Sequence, residues 1–290
     1  MKIKVVAITD TGKERPNNED AFVMCPDLFL QNWTLSETST YIPLNKYGSV
    51  FVVADGMGGA NAGDVASSIA TKTIRNSFSK KNIENAIKYN NIDGLLQSSI
   101  VEADEAINNK VFEDPDTSGM GTTIVVCWVI ENTAHIAWCG DSRCYVYNVF
   151  EGLKLLTKDH SLVQELVDKG EITEKEAFTH PDNNIITRGL GDIDSLPQPD
   201  IISYSIHPND ILLLCSDGLC GYSTNKQIER ILEKNSVDIK KCRDELLSHA
   251  LNTGGYDNIC IVLASLISNE QKVPTVPTFF QRLFMRLRRK

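Results

Sequence analysis

Apolar positions in this chain come in short runs separated by polar turns. Residues 5–8 and 21–25 are apolar runs of strand length. Phe51, Val52, Val53 and Ala54 predict a buried strand that stops at Asp55, and Gly56, Gly58, Gly59 and Gly63 follow it. A helix is expected over 63–78. Leu95, Leu96, Ile100, Ala103, Ala106 and Ile107 share one helical face, which predicts a second helix over 93–111. The pattern then changes to alternation over 122–130, 133–139 and 143–149, with turns at Asn132 and at 140–142, which reads as an antiparallel meander. Short helices are expected at 162–170 and 173–177. Strands follow at 201–206 and 211–215 around Pro208-Asn209, helices at 227–233 and 238–251, and a last strand at 258–267. Residues 26–47 show no period and read as a surface excursion inside a hairpin, and 80–91 as polar linker or helix edge. With no repeat and no shift of composition, residues 1–268 are expected to form one α+β domain.

The last stretch differs. After Pro274 and Pro277 comes TFFQRLFMRLRRK, where Phe279, Phe280, Leu283, Phe284 and Leu287 fall on one helical face. Arg282, Arg286, Arg288, Arg289 and Lys290 make it basic. Residues 269–290 are therefore read as a basic amphipathic C-terminal tail. Two readings stand: docking through residues 278–290 on an anionic membrane surface or a partner, or packing on its own acidic domain.

Composition narrows the class. The chain of 290 residues is 42% hydrophobic and 23% charged, which suits a folded domain. A net charge of −9 argues against nucleic acid as a partner. The N-terminal residues lack the apolar core of a signal peptide, and no apolar run approaches the roughly 18 residues that span a bilayer. The eight cysteines lie mostly in strand-like runs and form no CxxC pair, so reduced core thiols are expected, and a cytoplasmic location with them. None has arginine six positions on, which excludes a cysteine-based phosphatase loop.

The candidate chemistry lies in acids at strand ends. Asp55 ends one buried strand in Asp-Gly and Asp217 ends another the same way. Asp257 precedes the last strand, Glu19 and Asp20 precede the second, and Asp141 sits in a turn beside Gly140. Each alone is an ordinary turn acid. Gathered in one cleft they would repel one another, and divalent cations such as Mg²⁺ or Mn²⁺ would be their natural counterions.

The segments GKERPNNEDAF, VVADGMGGANAGDVAS, GMGTT, CGDSRCYVY, LTKDHSLV, ITRGLG, LLLCSDGL and GYDNI resemble, in order, the motifs of the metal-dependent protein serine/threonine phosphatases of type 2C, the PPM family, and its bacterial branch above all. The resemblance runs from about residue 4 to 267. It implies a four-layer αββα sandwich, two antiparallel sheets flanked by helix pairs, with a dinuclear metal site at one edge. It implies that Asp55 bridges two Mn²⁺ or Mg²⁺ ions, that the Gly56 carbonyl and Glu19 hold one, and that Asp217 and Asp257 hold the other. Asp20 would act through water, and Asp141 with Asp217 would form a third, weaker site. Arg15 would bind the substrate phosphate, and residues 171–192 would form a variable flap. The implied reaction is direct attack of a water or hydroxide bridging the metals on the phosphorus of phosphoserine or phosphothreonine, in proteins phosphorylated by a serine/threonine kinase. Two positions depart from the pattern: Met57 and Ala60 stand where histidine is frequent, which leaves the proton donor unassigned, with His160 and His180 as candidates. Two other functions stay open beside this one, a catalytically silent sensor or scaffold of the same fold and a small-molecule phosphomonoesterase.

Overall fold

In a computed structural model, which describes residues 1–35, 37–38, 40–58, 62–191 and 196–270, strand β4 (Ser49–Met57) sets the layering. Val50, Val52 and Ala54 face a helical layer, while Phe51 and Val53 face a second sheet. A strand with both faces covered needs apolar residues at every position, which is why no alternation shows in it.

One antiparallel sheet runs β10 (Asp200–Ser205), β7 (Thr133–Cys139), β6 (Ile124–Ile130), β4, β2 (Asp20–Cys25), and the short β5 (Gly121–Thr122) pairs with the end of β4. The other runs β3 (Ile42–Pro43), β1 (Lys2–Asp10), β12 (Ile259–Ile267), β11 (Ile211–Cys215), β8 (Arg143–Asn148), β9 (Gly152–Leu155). Met24, Phe51, Val125, Val262 and Leu214 fill the space between them. Helices α1 (Gly63–Ser77), α2 (Lys80–Lys88) and α3 (Ile92–Glu113) cover the first sheet, where Phe78 meets Trp128 edge-on with ring centroids 5.2 Å apart. Helices α7 (Asn225–Asn235) and α8 (Ile239–Asn252) cover the second. The order helix, sheet, sheet, helix is the expected four-layer sandwich. Local chemistry starts the outer helices: Thr224 and Gln227 form a capping box on α7, and Asp238 accepts the amides of Lys240 and Lys241 on α8.

Several expectations need correcting. Residues 80–88 are a helix, not a linker, because Ser79 caps them and Ile83 and Ala86 supply a buried face. The 26–47 excursion is anchored as well as exposed. Leu28 is fully buried, and Ile42 and Pro43 pair with β1. Strand β4 does not stop at Asp55 but continues to Met57, since β5 pairs with Gly56 and Met57. The expected meander is divided: β6 and β7 form a hairpin in one sheet, but β8 lies in the other, so residues 140–142 cross between sheets. The chain crosses again between β10 and β11. Strand β9 and the short helix α6 (Asp217–Cys220) were not foreseen. The tail from residue 271 on, and Ala60, lie outside the described residues. No helix among the described residues is long and apolar enough to cross a membrane.

Candidate metal and phosphate site

The antiparallel registers bring the ends of six strands to one edge. Asp20, the first residue of β2, stands opposite Asp55 in β4. Cys215, last in β11, stands opposite Arg143 at the start of β8 and Ile261 near the start of β12. Asp10, last in β1, pairs with Ile259 at the start of β12. Parity does the rest. Asp55 continues the face of Phe51 and Val53, and Asp20 that of Phe22 and Met24, so both carboxylates end the layer between the sheets.

A cleft of about 310 Å³ opens at this edge, lined by Arg15, Glu19, Asp55, Gly56, Asp141, Asp217 and Asp257 together with Met57, Thr123, Asn184 and Ile186. Seven of the eight expected site residues thus share one cavity, drawn from five separated stretches of chain. The eighth, Asp20, is 7% exposed and accepts the Ser216 hydroxyl at 2.6 Å. Asn184 and Ile186 bring the 171–192 segment to the rim. Neither His160 nor His180 lines the cleft. His160 instead holds the crossing turn, its Nδ1 accepting the Gly140 amide at 3.2 Å.

The residues that fix this geometry are polar and were not singled out in the sequence. Asn258, 5% exposed, accepts the Glu19 amide at 2.7 Å and donates to the carbonyls of Thr11 and Asn17, both at 2.9 Å. It fastens the Arg15 loop to the Asp257 loop. Ser216 accepts the Cys260 amide at 2.9 Å while donating to Asp20. Thr122 donates to the Asp55 carbonyl, the Asp55 amide donates to Thr123 Oγ1, and Thr123 Oγ1 also meets the Ser142 hydroxyl at 2.7 Å beside Asp141. Ser216, Ser142 and Asn258 each adjoin an acid in the sequence, but Thr122 and Thr123 reach Asp55 from a separate stretch. Gly56 shows how close the backbones come. A Cβ there would lie 2.1 Å from the Gly63 carbonyl oxygen and 2.6 Å from that of Glu19, so only glycine lets α1 and the Glu19 turn meet.

Electrostatically the site is overloaded with negative charge. Burial and then the neighbours Asp217 and Asp257 push Asp20 up to about 8. Burial and Asp217 push Asp141 up to about 8, and burial and Asp257 push Asp217 up to about 6. Asp55 is driven well above the carboxylate range by burial and by Asp20. Two cations answer part of this charge: Arg143, paired with Asp159 at 2.6 Å, pulls down Asp141 and Asp217, and Arg15, half-exposed, donates to Asp257 at 2.7 Å, a hydrogen bond that raises its own pKa. Asp257, expected as a metal ligand, is therefore held by the residue expected to bind phosphate. Among the described residues, no three His, Cys, Asp or Glu side chains already close on one point as an ion's ligand set. Their chemistry fits hard divalent cations all the same. Every candidate ligand is an oxygen, the carboxylates repel one another, and Asp20 Oδ1 is buried with no hydrogen-bond partner.

The sequence model described as Protein phosphatase 2C matches residues 17–259. The chain belongs to the protein phosphatase 2C family. Within that family it is 34% identical over 255 residues to the serine/threonine phosphatase stp of Listeria innocua, covering 88% of this chain and 92% of that protein. It is 31% identical over 265 residues to the protein phosphatase PhpP of Streptococcus pneumoniae, covering 91% and 98%. Among solved structures of the family, the serine/threonine phosphatase Stp1 from Staphylococcus aureus superposes with a TM-score of 0.76 at 34% identity, over 91% of this chain and 95% of that one. The catalytic domain of the phosphatase PstP, crystallised with two manganese ions, superposes with a TM-score of 0.72 at 27% identity, over 92% and 99%.

Proposed function

We propose that this protein phosphatase removes phosphate from serine and threonine residues of proteins, with divalent cations held by Glu19, Asp55, the Gly56 carbonyl, Asp217 and Asp257. The observation that carries the reading is the convergence of those residues and Arg15 on one cleft. Family membership and the two manganese ions of the PstP structure support it. Mn²⁺ and Mg²⁺ both suit an all-oxygen site. Asp141, beside Asp217 in the same cleft, is the residue for a third and weaker ion. The substrates are the products of a serine/threonine kinase reaction.

When bound, such cations lower the pKa of water and neutralise phosphoryl charge. The chain's own residues do the remaining work. Arg15 presents a planar, permanently charged fork to the phosphoryl oxygens. Substrate phosphate would compete with Asp257 for that fork, and Asp257 would be among the residues that hold a cation. Asp20 lies under the floor of the cleft with Oδ2 fixed by Ser216, which leaves Oδ1 to accept a hydrogen from a water above it. Met57 offers no proton donor at the cleft, and neither His160 nor His180 lines it. The eight cysteines, all buried and unpaired, support a reducing, cytoplasmic setting.

The test is hydrolysis of a phosphothreonine peptide by wild type, Asp55→Asn and Asp217→Asn with Mn²⁺, with Mg²⁺ and with EDTA. Loss of at least about a hundredfold in both variants, and loss on chelation, is expected. Undiminished turnover in either variant overturns the assignment.

A further inference from the structure

Two tyrosines stand beside the cleft with no part in the core. Tyr256 immediately precedes Asp257, and Tyr222 follows the short helix α6 that Asp217 opens. Their rings lie 5.4 Å apart at 45°. Both are large and exposed, Tyr256 at 53% and Tyr222 at 38%. Each is tied through the backbone to a different acid of the site, Tyr256 directly to the Asp257 that Arg15 meets, so the pair adjoins the cleft without lining it. The Tyr222 hydroxyl is pushed up in pKa by burial and then by Asp217 and Asp257, which puts it within electrostatic reach of the cleft.

The backbone under the pair is built around the rings. Gly254 has φ +138°, and a Cβ there would lie 2.0 Å from a ring carbon of Tyr256. Only glycine allows the Tyr256 ring to lie against its own chain in this way. The neighbouring Gly255 carbonyl accepts the Lys13 amide at 2.7 Å, which ties the same turn to the Arg15 loop. An ordered pair of exposed aromatic rings next to a phosphate-binding arginine is not explained by packing, since neither ring is needed to fill the layer beneath.

The geometry points to Tyr222 and Tyr256 as specificity-determining residues that receive an apolar side chain flanking the phosphorylated residue of the protein substrate. The inference rests on the phosphatase reading above. A phosphoryl group held at Arg15 brings the substrate chain to the Asp257 turn, where Tyr256 is the preceding residue. There the ring faces offer an apolar surface. An acidic neighbour gains nothing from the ring faces, whose π-clouds carry the negative side of the quadrupole.

Three phosphothreonine peptides test this, identical except that glycine, leucine or glutamate flanks the phosphothreonine on both sides. They are assayed with wild type, the Tyr222→Ala/Tyr256→Ala double variant and the corresponding double Phe variant. The readout is the ratio of kcat/KM values between peptides within each protein, so a general loss of activity in a variant cancels. Wild type is expected to favour the leucine peptide over the glycine peptide by roughly fivefold to tenfold, mainly through KM. The Ala variant should lose that preference and the Phe variant keep it. Equal rates on leucine and glycine peptides in wild type, or an undiminished preference in the Ala variant, overturns this inference alone. Absence of Mn²⁺-dependent turnover of all three peptides by wild type overturns the phosphatase reading, and this one with it.

Discussion

Asn258 gives its whole amide to other loops. Its Oδ1 takes the Glu19 amide, and its Nδ2 serves two carbonyls in the Arg15 loop. It contributes no candidate ligand, yet both Glu19 and Arg15 stand where it holds them. Asn258→Ala should remove three part-buried hydrogen bonds, at about 1 kcal/mol for each. The variant should also need about ten times more Mn²⁺ for half-maximal turnover, because the Glu19 turn is released. Urea unfolding and a Mn²⁺ titration check the two effects, and an unchanged titration would refute the second. The acids themselves were legible in the sequence because each stands where an apolar run meets a glycine or asparagine. The residues that aim them were not. Ser216, Thr123 and Asn258 are common types in common places, and a hydrogen bond between residues 239 positions apart, as between Glu19 and Asn258, leaves no local pattern.

At the scale of elements, most strands and helices were readable from period alone, and their sheets were not. The turn at 140–142 looks like the turn at Asn132, yet one crosses between sheets and the other closes a hairpin. Both sheets bury two faces, so a strand's composition does not say which sheet it joins. What holds the crossing in place is His160. Its backbone amide donates to the Gly140 carbonyl, its Nδ1 accepts the Gly140 amide, and its ring stacks on Trp138 with centroids 6.0 Å apart. Burial lowers its pKa below 6.5, so the folded state holds the proton less tightly than the unfolded chain does. The imidazole's contribution to stability is therefore present above about pH 6.5 and is lost as the pH falls towards the lowered folded value. Wild type should lose melting temperature between pH 7.5 and 5.5 more steeply than His160→Gln. Parallel slopes by differential scanning fluorimetry would count against this role.

Over the whole molecule the acidic site sets the response to cations. Carboxylates crowded at the junction of the sheets strain the fold until a cation joins them, so metal and stability are linked. At a hundred times the dissociation constant, Mn²⁺ should add about 2.7 kcal/mol. In a domain of this size that corresponds to a rise of roughly 5–10 °C in melting temperature. EDTA should reverse it and Asp55→Asn abolish it; a melting temperature indifferent to Mn²⁺ would contradict the linkage. The basic stretch at the other end of the charge scale predicts a separate behaviour. Deletion of residues 273–290 should reduce sedimentation with anionic vesicles while leaving turnover of a small chromogenic ester unchanged, and equal sedimentation of both proteins would favour the tail that packs on its own domain. The pairing of β1 with β12 carries one more consequence. The first and last strands of the domain lie side by side over nine residue pairs, Lys2 against Ile267 through Asp10 against Ile259, and Asp257 and Asn258 arrive just before the last of them. During synthesis, every other acid of the site exists on the nascent chain long before the strand that brings the final one. A ribosome-bound fragment ending short of residue 257 has neither its full ligand set nor the amide that seats Arg15. Such a fragment should therefore hydrolyse no phosphothreonine peptide, and turnover should begin only after β12 has been made.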